Sequence, residues 1–136
     1  MTSYKEMEKM RAGMKRAAGV LIIEEGKILA VSRKDDVDNF GIPAGAAEED
    51  ETFEQCALRE LFEETGLIGT NPRVIFVEKD DFGWTMATVV IEKRIGDINT
   101  TEKGIVEWVE PKKLLEGSFS KYNKSLFNSI GIMIDE

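Results

Sequence analysis

Histidine is missing from all 136 residues, and cysteine occurs once, at position 56. The first absence removes the commonest general base and the commonest ligand of transition metals. Acid–base chemistry in this chain therefore falls to carboxylate, lysine, tyrosine or water, and a bound metal is expected to be Mg²⁺ or Mn²⁺ rather than zinc. A single cysteine excludes an intramolecular disulfide and fits a reducing compartment. No apolar run approaches the roughly 20 residues of a membrane span. The opening stretch MTSYKEMEKMRAGMKR is polar and has no apolar signal-peptide core. A cytoplasmic protein that does not engage a membrane is the expectation. Basic residues are also in the minority: 18 Lys and Arg against 26 Asp and Glu give a net charge of −8. Such a surface repels a nucleic-acid polymer. A small phosphorylated ligand remains compatible with it, because bound metal and a few local cations invert the charge inside a site.

The length fits one domain with a sizeable core, and the 42% hydrophobic content is ordinary for a globular chain. No internal repeat or low-complexity segment is visible. Residues 3–14 pattern as a short amphipathic helix with Tyr4, Met7, Met10 and Met14 on one side, so residues 1–16 read as a helical extension of a single 1–136 domain. Ala17 to Ile23 is a continuous apolar run, expected as a buried strand. Glu25-Gly26 signals a turn, with Lys27 to Ser32 as the hairpin partner. Asp35 to Asn39 reads as a polar loop, and Phe40 to Gly45 as an irregular lead-in. A helix is expected from Asp50 to Thr65, stopped by Gly66. Beyond it come strands over Arg73 to Lys79, Trp84 to Lys93 and Ile105 to Val109, the first two joined by a turn at 80–83. Pro111 opens a helical turn, and Lys121 to Ile130 forms a terminal amphipathic helix. This order predicts an α/β fold, a mixed sheet covered by helices on both faces.

The most informative stretch is Gly45 to Leu67, GAAEEDETFEQCALRELFEETGL. Glu60, Glu63 and Glu64 stand at i, i+3 and i+4, neighbours on one helix face spanning an arc of roughly 100°. Ala57, Leu58, Leu61 and Phe62 take another side, so the helix can pack on a sheet and turn its acids toward a cleft. Like charges this close repel unless a cation sits among them, and a hard divalent metal suits carboxylate oxygens. Arg59 lies four residues before Glu63 and can hold it in one rotamer. A solvated acidic face is the bland alternative.

The segment also fits Gly-x5-Glu-x7-Arg-Glu-U-x-Glu-Glu-x-Gly-U, U being aliphatic, with Gly45, Glu51, Arg59, Glu60, Leu61, Glu63, Glu64, Gly66 and Leu67 in the specified places. It resembles the Nudix box, the signature of metal-dependent hydrolases that cut nucleoside diphosphates linked to another group. The resemblance implies an α/β/α sandwich over about residues 17 to 130. Glu60 and Glu64 are then the firmest ligands for Mg²⁺ or Mn²⁺, with the Gly45 carbonyl beside them and Glu63 as ligand or general base. Glu51 either assists the metal or complements a helix N-terminus. Glu102 corresponds to the mobile catalytic glutamate of MutT-type relatives, or is a solvated loop residue; Glu107 is a weaker alternative. Arg33, followed by Lys34, matches an arginine that meets substrate phosphate, with a plain surface charge as the alternative. Asn123 matches an asparagine offered to a purine base, or is a cap or surface residue. Phe40, Phe82 and Trp84 are candidate stacking partners, although Trp84 suits the sheet better. Cys56 has no histidine to activate it and is no nucleophile.

Two positions depart from the usual family wording: Pro43-Ala44-Gly45-Ala46 replaces Pro-Gly-Gly-Lys, and Asp50 replaces a glycine. Beyond the box, the proline of ADP-ribose hydrolases and the tyrosine of dinucleoside polyphosphate hydrolases are both missing; Phe82-Gly83-Trp84 stands there. The expectation is a nucleoside triphosphate hydrolase releasing pyrophosphate, an oxidised purine being one specific version, working as a monomer or homodimer. The alternatives are hydrolysis of ADP-ribose or another nucleotide sugar, and a non-catalytic nucleotide-binding regulator.

Overall fold

Consecutive residues of a strand point to opposite faces, so the run Ile28-Leu29-Ala30 demands cover on both sides. The computed structural model, which describes residues 15–99 and 104–134, supplies it. Leu29 joins a core containing Ala18, Val20, Cys56, Ala57, Leu61, Ala87 and Val89. Ile28 and Ala30 join a second core with Phe40, Ile42, Leu114, Leu126 and Phe127. Helix α1 (Phe53–Thr65) closes the first core and helix α2 (Ser120–Ile130) the second. The fold is thus the expected α/β/α sandwich.

The strands are β1 (Arg16–Val20), β2 (Ile23–Glu24), β3 (Lys27–Arg33), β4 (Asp36–Gly41), β5 (Ala44–Ala46), β6 (Ile68–Thr70), β7 (Arg73–Lys79), β8 (Thr85–Val90), β9 (Lys93–Ile95) and β10 (Gly104–Val109). One sheet runs β5-β1-β8-β7, and only its β1–β8 pair is parallel. A second runs β10-β3-β2, with β4 also on β3, and β6 pairs β9 as a small ribbon. The β2–β3 hairpin turns at Glu25 (φ 54°) and Gly26 (φ 79°), the double positive φ that suits the twist of a tight hairpin. A 3₁₀ turn, Pro111–Leu115, precedes α2.

Several boundaries differ from the sequence expectation. Strand β1 takes Arg16 from the proposed 1–16 extension, stops at Val20 and pairs with β5 and β8 instead of β3, so only Ile23 and Glu24 form the hairpin expected between 17–23 and 27–32; the helical pattern of 3–14 lies outside the described residues. The polar loop expected over 35–39 is mostly strand β4, and its Asp36, Val37 and Asp38 are exposed, so no alternating apolar signal marks them. The lead-in expected to be irregular includes β5, ordered by pairing Ala44, Gly45 and Ala46 with Gly19, Ala18 and Ala17. The expected 84–93 strand breaks after Val90, because Lys93–Ile95 turns aside to pair with β6.

Helix α1 begins three residues later than expected. Arg16 donates to the carbonyls of Glu51 (2.8 Å), Glu48 (3.2 Å) and Glu49 (3.4 Å), holding the approach to the helix as a turn. Thr52 then caps the helix: its hydroxyl accepts from the Gln55 N–H (3.1 Å), and the Gln55 side chain accepts from the Thr52 N–H (3.0 Å). This capping box satisfies donors that the first turn leaves free. Gly66, at φ 81°, stops the helix with its N–H on the Phe62 carbonyl.

Candidate active site

Helix α1 buries Cys56, Ala57 and Leu61 against the sheet, which turns Arg59, Glu60 and Glu64 toward β5, while the more exposed Glu63 meets Arg59. Phe62, expected on the inner side, is 56% exposed. Glu64 accepts the Ala44 N–H at 2.8 Å. Gly45 lies against Glu60 so closely that a Cβ there would collide with the carboxylate. The Gly45 carbonyl accepts the Cys56 thiol proton at 3.4 Å. Glycine at 45 thus permits this close approach and serves no turn.

The cation among the acids is Arg59. Its Nε and Nη2 reach the two Glu51 carboxylate oxygens at 2.7 and 2.9 Å. Its Nη1 donates to Glu60 (2.9 Å) and Glu63 (3.2 Å), and Nη2 also donates to the Ala46 carbonyl (3.0 Å). Such forked, charge-assisted bonds are short and directional. Hydrogen bonding from Arg59 pulls the Glu51 carboxyl below its usual range, and the same bond raises the guanidinium further above its own. Glu51 thus precedes the helix as a clamp on Arg59. Burial, assisted by the charge of Glu51, pushes the Cys56 thiol up to about 11, in keeping with an inert cysteine.

Among the described residues, no three acidic side chains are gathered as a ready metal cage; Arg59 draws the carboxylates to itself. The donor chemistry nevertheless fits a hard divalent ion. Glu60, Glu63 and Glu64 offer carboxylate oxygens on one helix face, and Gly45 packs closely against Glu60.

The remaining candidates scatter. Arg33 is largely solvent-exposed and pairs with Asp35 at 3.4 Å. Phe40 is 5% exposed and belongs to the second core, so its ring faces are occupied. Phe82 stands exposed in the β7–β8 turn, and Trp84 is half-buried before β8 with Lys15 over its ring. Glu107 is exposed on β10. Glu102 lies outside the described residues. Asn123 is 1% exposed, and its Nδ2 donates to the Leu114 carbonyl at 3.0 Å. That bond ties α2 to the preceding 3₁₀ turn.

Asn123 also lines a small, shallow hollow with Ile42, Ala44, Met86, Phe119 and Tyr122. Ala44 belongs to both features: its side chain lines the hollow, while its N–H is held by Glu64. Sequence reasoning missed Phe119, a 55% exposed ring at the head of α2. Its one signal was an aromatic residue in an otherwise polar loop.

The chain matches the sequence profile of the NUDIX domain over residues 13–129. It is 31% identical over 115 residues to a MutT-like protein of Streptomyces ambofaciens, covering 83% of this chain and 74% of that one. Its fold is similar to a MutT structure from work on Aliivibrio salmonicida and Vibrio cholerae (TM-score 0.72, 21% identity, 88% and 99% of the two chains). It is also similar to a structure described as an ADP compounds hydrolase (TM-score 0.63, 16% identity, 88% and 76%). Fold, box helix and profile together define a hydrolase: the chain belongs to the Nudix family. Within that family it is of the MutT type and acts on pyrophosphate bonds. Nudix hydrolases generally use divalent metals. No helix among the described residues is long and apolar enough to cross a membrane.

Proposed function

We propose that the protein hydrolyses a nucleoside or deoxynucleoside triphosphate to the monophosphate and pyrophosphate, using Mg²⁺ or Mn²⁺. The observation that carries this reading is the double role of Ala44. It joins the carboxylate face of α1 to a shallow apolar hollow, so a phosphate chain at the acids would direct its linked group toward that hollow. Glu60, Glu63, Glu64 and the Gly45 carbonyl are the ligands this reading assigns. When bound, the metal neutralises phosphate charge and acidifies a water. Arg59 holds Glu60 and Glu63 in position, with Glu51 as its anchor. The proton of the attacking water goes to Glu63 or to Glu102, both carboxylates in a chain without histidine. Arg33, exposed at the end of β3, is free to swing onto phosphate once released from Asp35.

The test is a nucleotide panel with Mg²⁺ and with Mn²⁺, scored separately for phosphate and pyrophosphate. It includes triphosphates, an oxidised purine triphosphate, ADP-ribose and nucleotide sugars. Triphosphates should give pyrophosphate, and chelation should abolish turnover. Faster cleavage of ADP-ribose would move the protein to the nucleotide-sugar class. Binding without cleavage of any compound would make it a regulator.

A further inference from the structure

Residues 47–51 belong to no strand or helix, so contacts from elsewhere must fix Glu51, the anchor of Arg59. Arg16 supplies them through main chain and side chain together. Its backbone carbonyl accepts the Ala47 N–H at 2.8 Å. Its Nη1 donates to the Glu51 carbonyl at 2.8 Å, and its Nη2 donates to the carbonyls of Glu48 (3.2 Å) and Glu49 (3.4 Å). The same guanidinium lies over the Phe53 ring, 5.6 Å from its centre. The turn that results holds Glu51 by both its parts. The Glu51 N–H donates to the Glu48 carbonyl at 3.1 Å, and the Glu51 carboxylate accepts the Glu48 N–H at 2.8 Å.

From Glu51 the contacts run on into the site. Its two carboxylate oxygens take Nε and Nη2 of Arg59, and the remaining nitrogen, Nη1, reaches Glu60 and Glu63. A guanidinium is a rigid planar fork, so holding one edge on Glu51 fixes where Nη1 points. We infer that Arg16, whose donors go to main-chain carbonyls outside the helix, is a positioning residue for the carboxylates of Glu60 and Glu63. It fixes the 48–51 turn, the turn fixes Glu51, and Glu51 aims Arg59. The inference rests on the assignment of Glu60 and Glu63 as metal ligands and adds a residue that sets them from strand β1. Groups one contact removed from a metal's ligands typically change its affinity about 10–100-fold when lost. Lysine is no equivalent here, because a single ammonium cannot span carbonyls that two guanidinium nitrogens divide between them.

The test measures Mn²⁺ affinity of the full chain by electron paramagnetic resonance, with circular dichroism to show that each variant is folded. Arg16→Met removes the donors and keeps an apolar stem over Phe53. Arg16→Lys keeps the charge and loses the fork. Arg94→Met is the control for lost stability, since Arg94 is a similar tie that pairs with Glu24 and lies over Trp108. Arg16→Met should weaken Mn²⁺ binding about tenfold, Arg16→Lys by a smaller factor, and Arg94→Met should stay near the parental value. Parental affinity in folded Arg16→Met, or an equal loss in Arg94→Met, overturns the inference and leaves the ligand assignment intact. If Arg16→Met does not fold, Arg16→Lys decides by the same comparison, and parental affinity again overturns it. If the parent binds no Mn²⁺, the ligand assignment fails, and hydrogen exchange at the Arg59 Nε–H, followed by NMR, decides whether Arg16 holds the acids' clamp. Exchange faster by about tenfold or more in Arg16→Lys supports it, and a parental rate overturns it.

Discussion

Arg59 commits all three guanidinium nitrogens, and that arrangement sets what single substitutions should do. Glu51 is held below its ordinary carboxyl value of 4.5 by Arg59. A lowered value in the folded state means the pairing contributes fully above pH 4.5 and fades as the pH drops through the folded value. The urea midpoint of Glu51→Gln should therefore trail that of the parent by a constant amount above that pH and converge with it in acid. A gap that persists in acid would show that the loss comes from packing and not from charge. Glu64→Gln keeps an oxygen for the Ala44 N–H and removes the charge. Turnover should drop by on the order of 10² or more while the melting temperature holds; normal turnover would exclude Glu64 as an essential ligand. Glu102→Gln should lower kcat with KM little changed, because general-base assistance acts in the transition state. A parental kcat at every pH would transfer the proton to Glu63.

Strand β5 matters more than its three residues suggest, because it stands between helix α1 and the apolar hollow. Its seat on β1 depends on Gly19. A methyl group at 19 would lie 2.7 Å from the Ala44 Cβ and 2.8 Å from the Pro43 carbonyl oxygen. Gly19→Ala should cost about 1–3 kcal/mol by overpacking and should also depress activity, since the strand that yields carries Gly45. A variant with parental stability and turnover would show that β5 shifts without consequence. Element legibility followed exposure and pairing distance. The α1 helix, the turn between β2 and β3 and α2 were readable because local periodicity, turn residues and stop signals mark them, whereas residues 17–20, expected beside β3, pair with β5 and β8. Strands β4 and β5 were not, since β4 exposes most of its residues and β5 exists only through its partner β1. The start of α1 was missed because Arg16, far back in the chain, holds residues 48–51 out of the helix.

For the molecule as a whole, Cys56 reports on the integrity of both layers. It is 0% exposed between α1 and the sheet, and its thiol is pushed from 9.0 to about 11. The folded protein should resist a thiol reagent at neutral to mildly alkaline pH and react in urea at the rate of an exposed thiol. The sign with pH is opposite to that of Glu51: the raised value leaves stability untouched below 9.0 and erodes it as pH climbs toward 11. Rapid modification of the native protein would mean that α1 opens readily from the sheet.

The family, the carboxylate helix and the sandwich architecture were determined by the sequence itself, because they rest on short-range spacing: i, i+3 and i+4 acids, apolar runs, and glycines at helix ends. The Arg59–Glu63 pair was legible from its i, i+4 spacing, but tertiary structure alone added Glu51 and Ala46 to Arg59, since they meet it only when the chain folds back. It alone took Phe40 into the core and tied Asn123 to Leu114, while bringing Phe119 to the hollow. A side chain's partners depend on what distant strands and helices bring beside it, and no local pattern encodes that meeting.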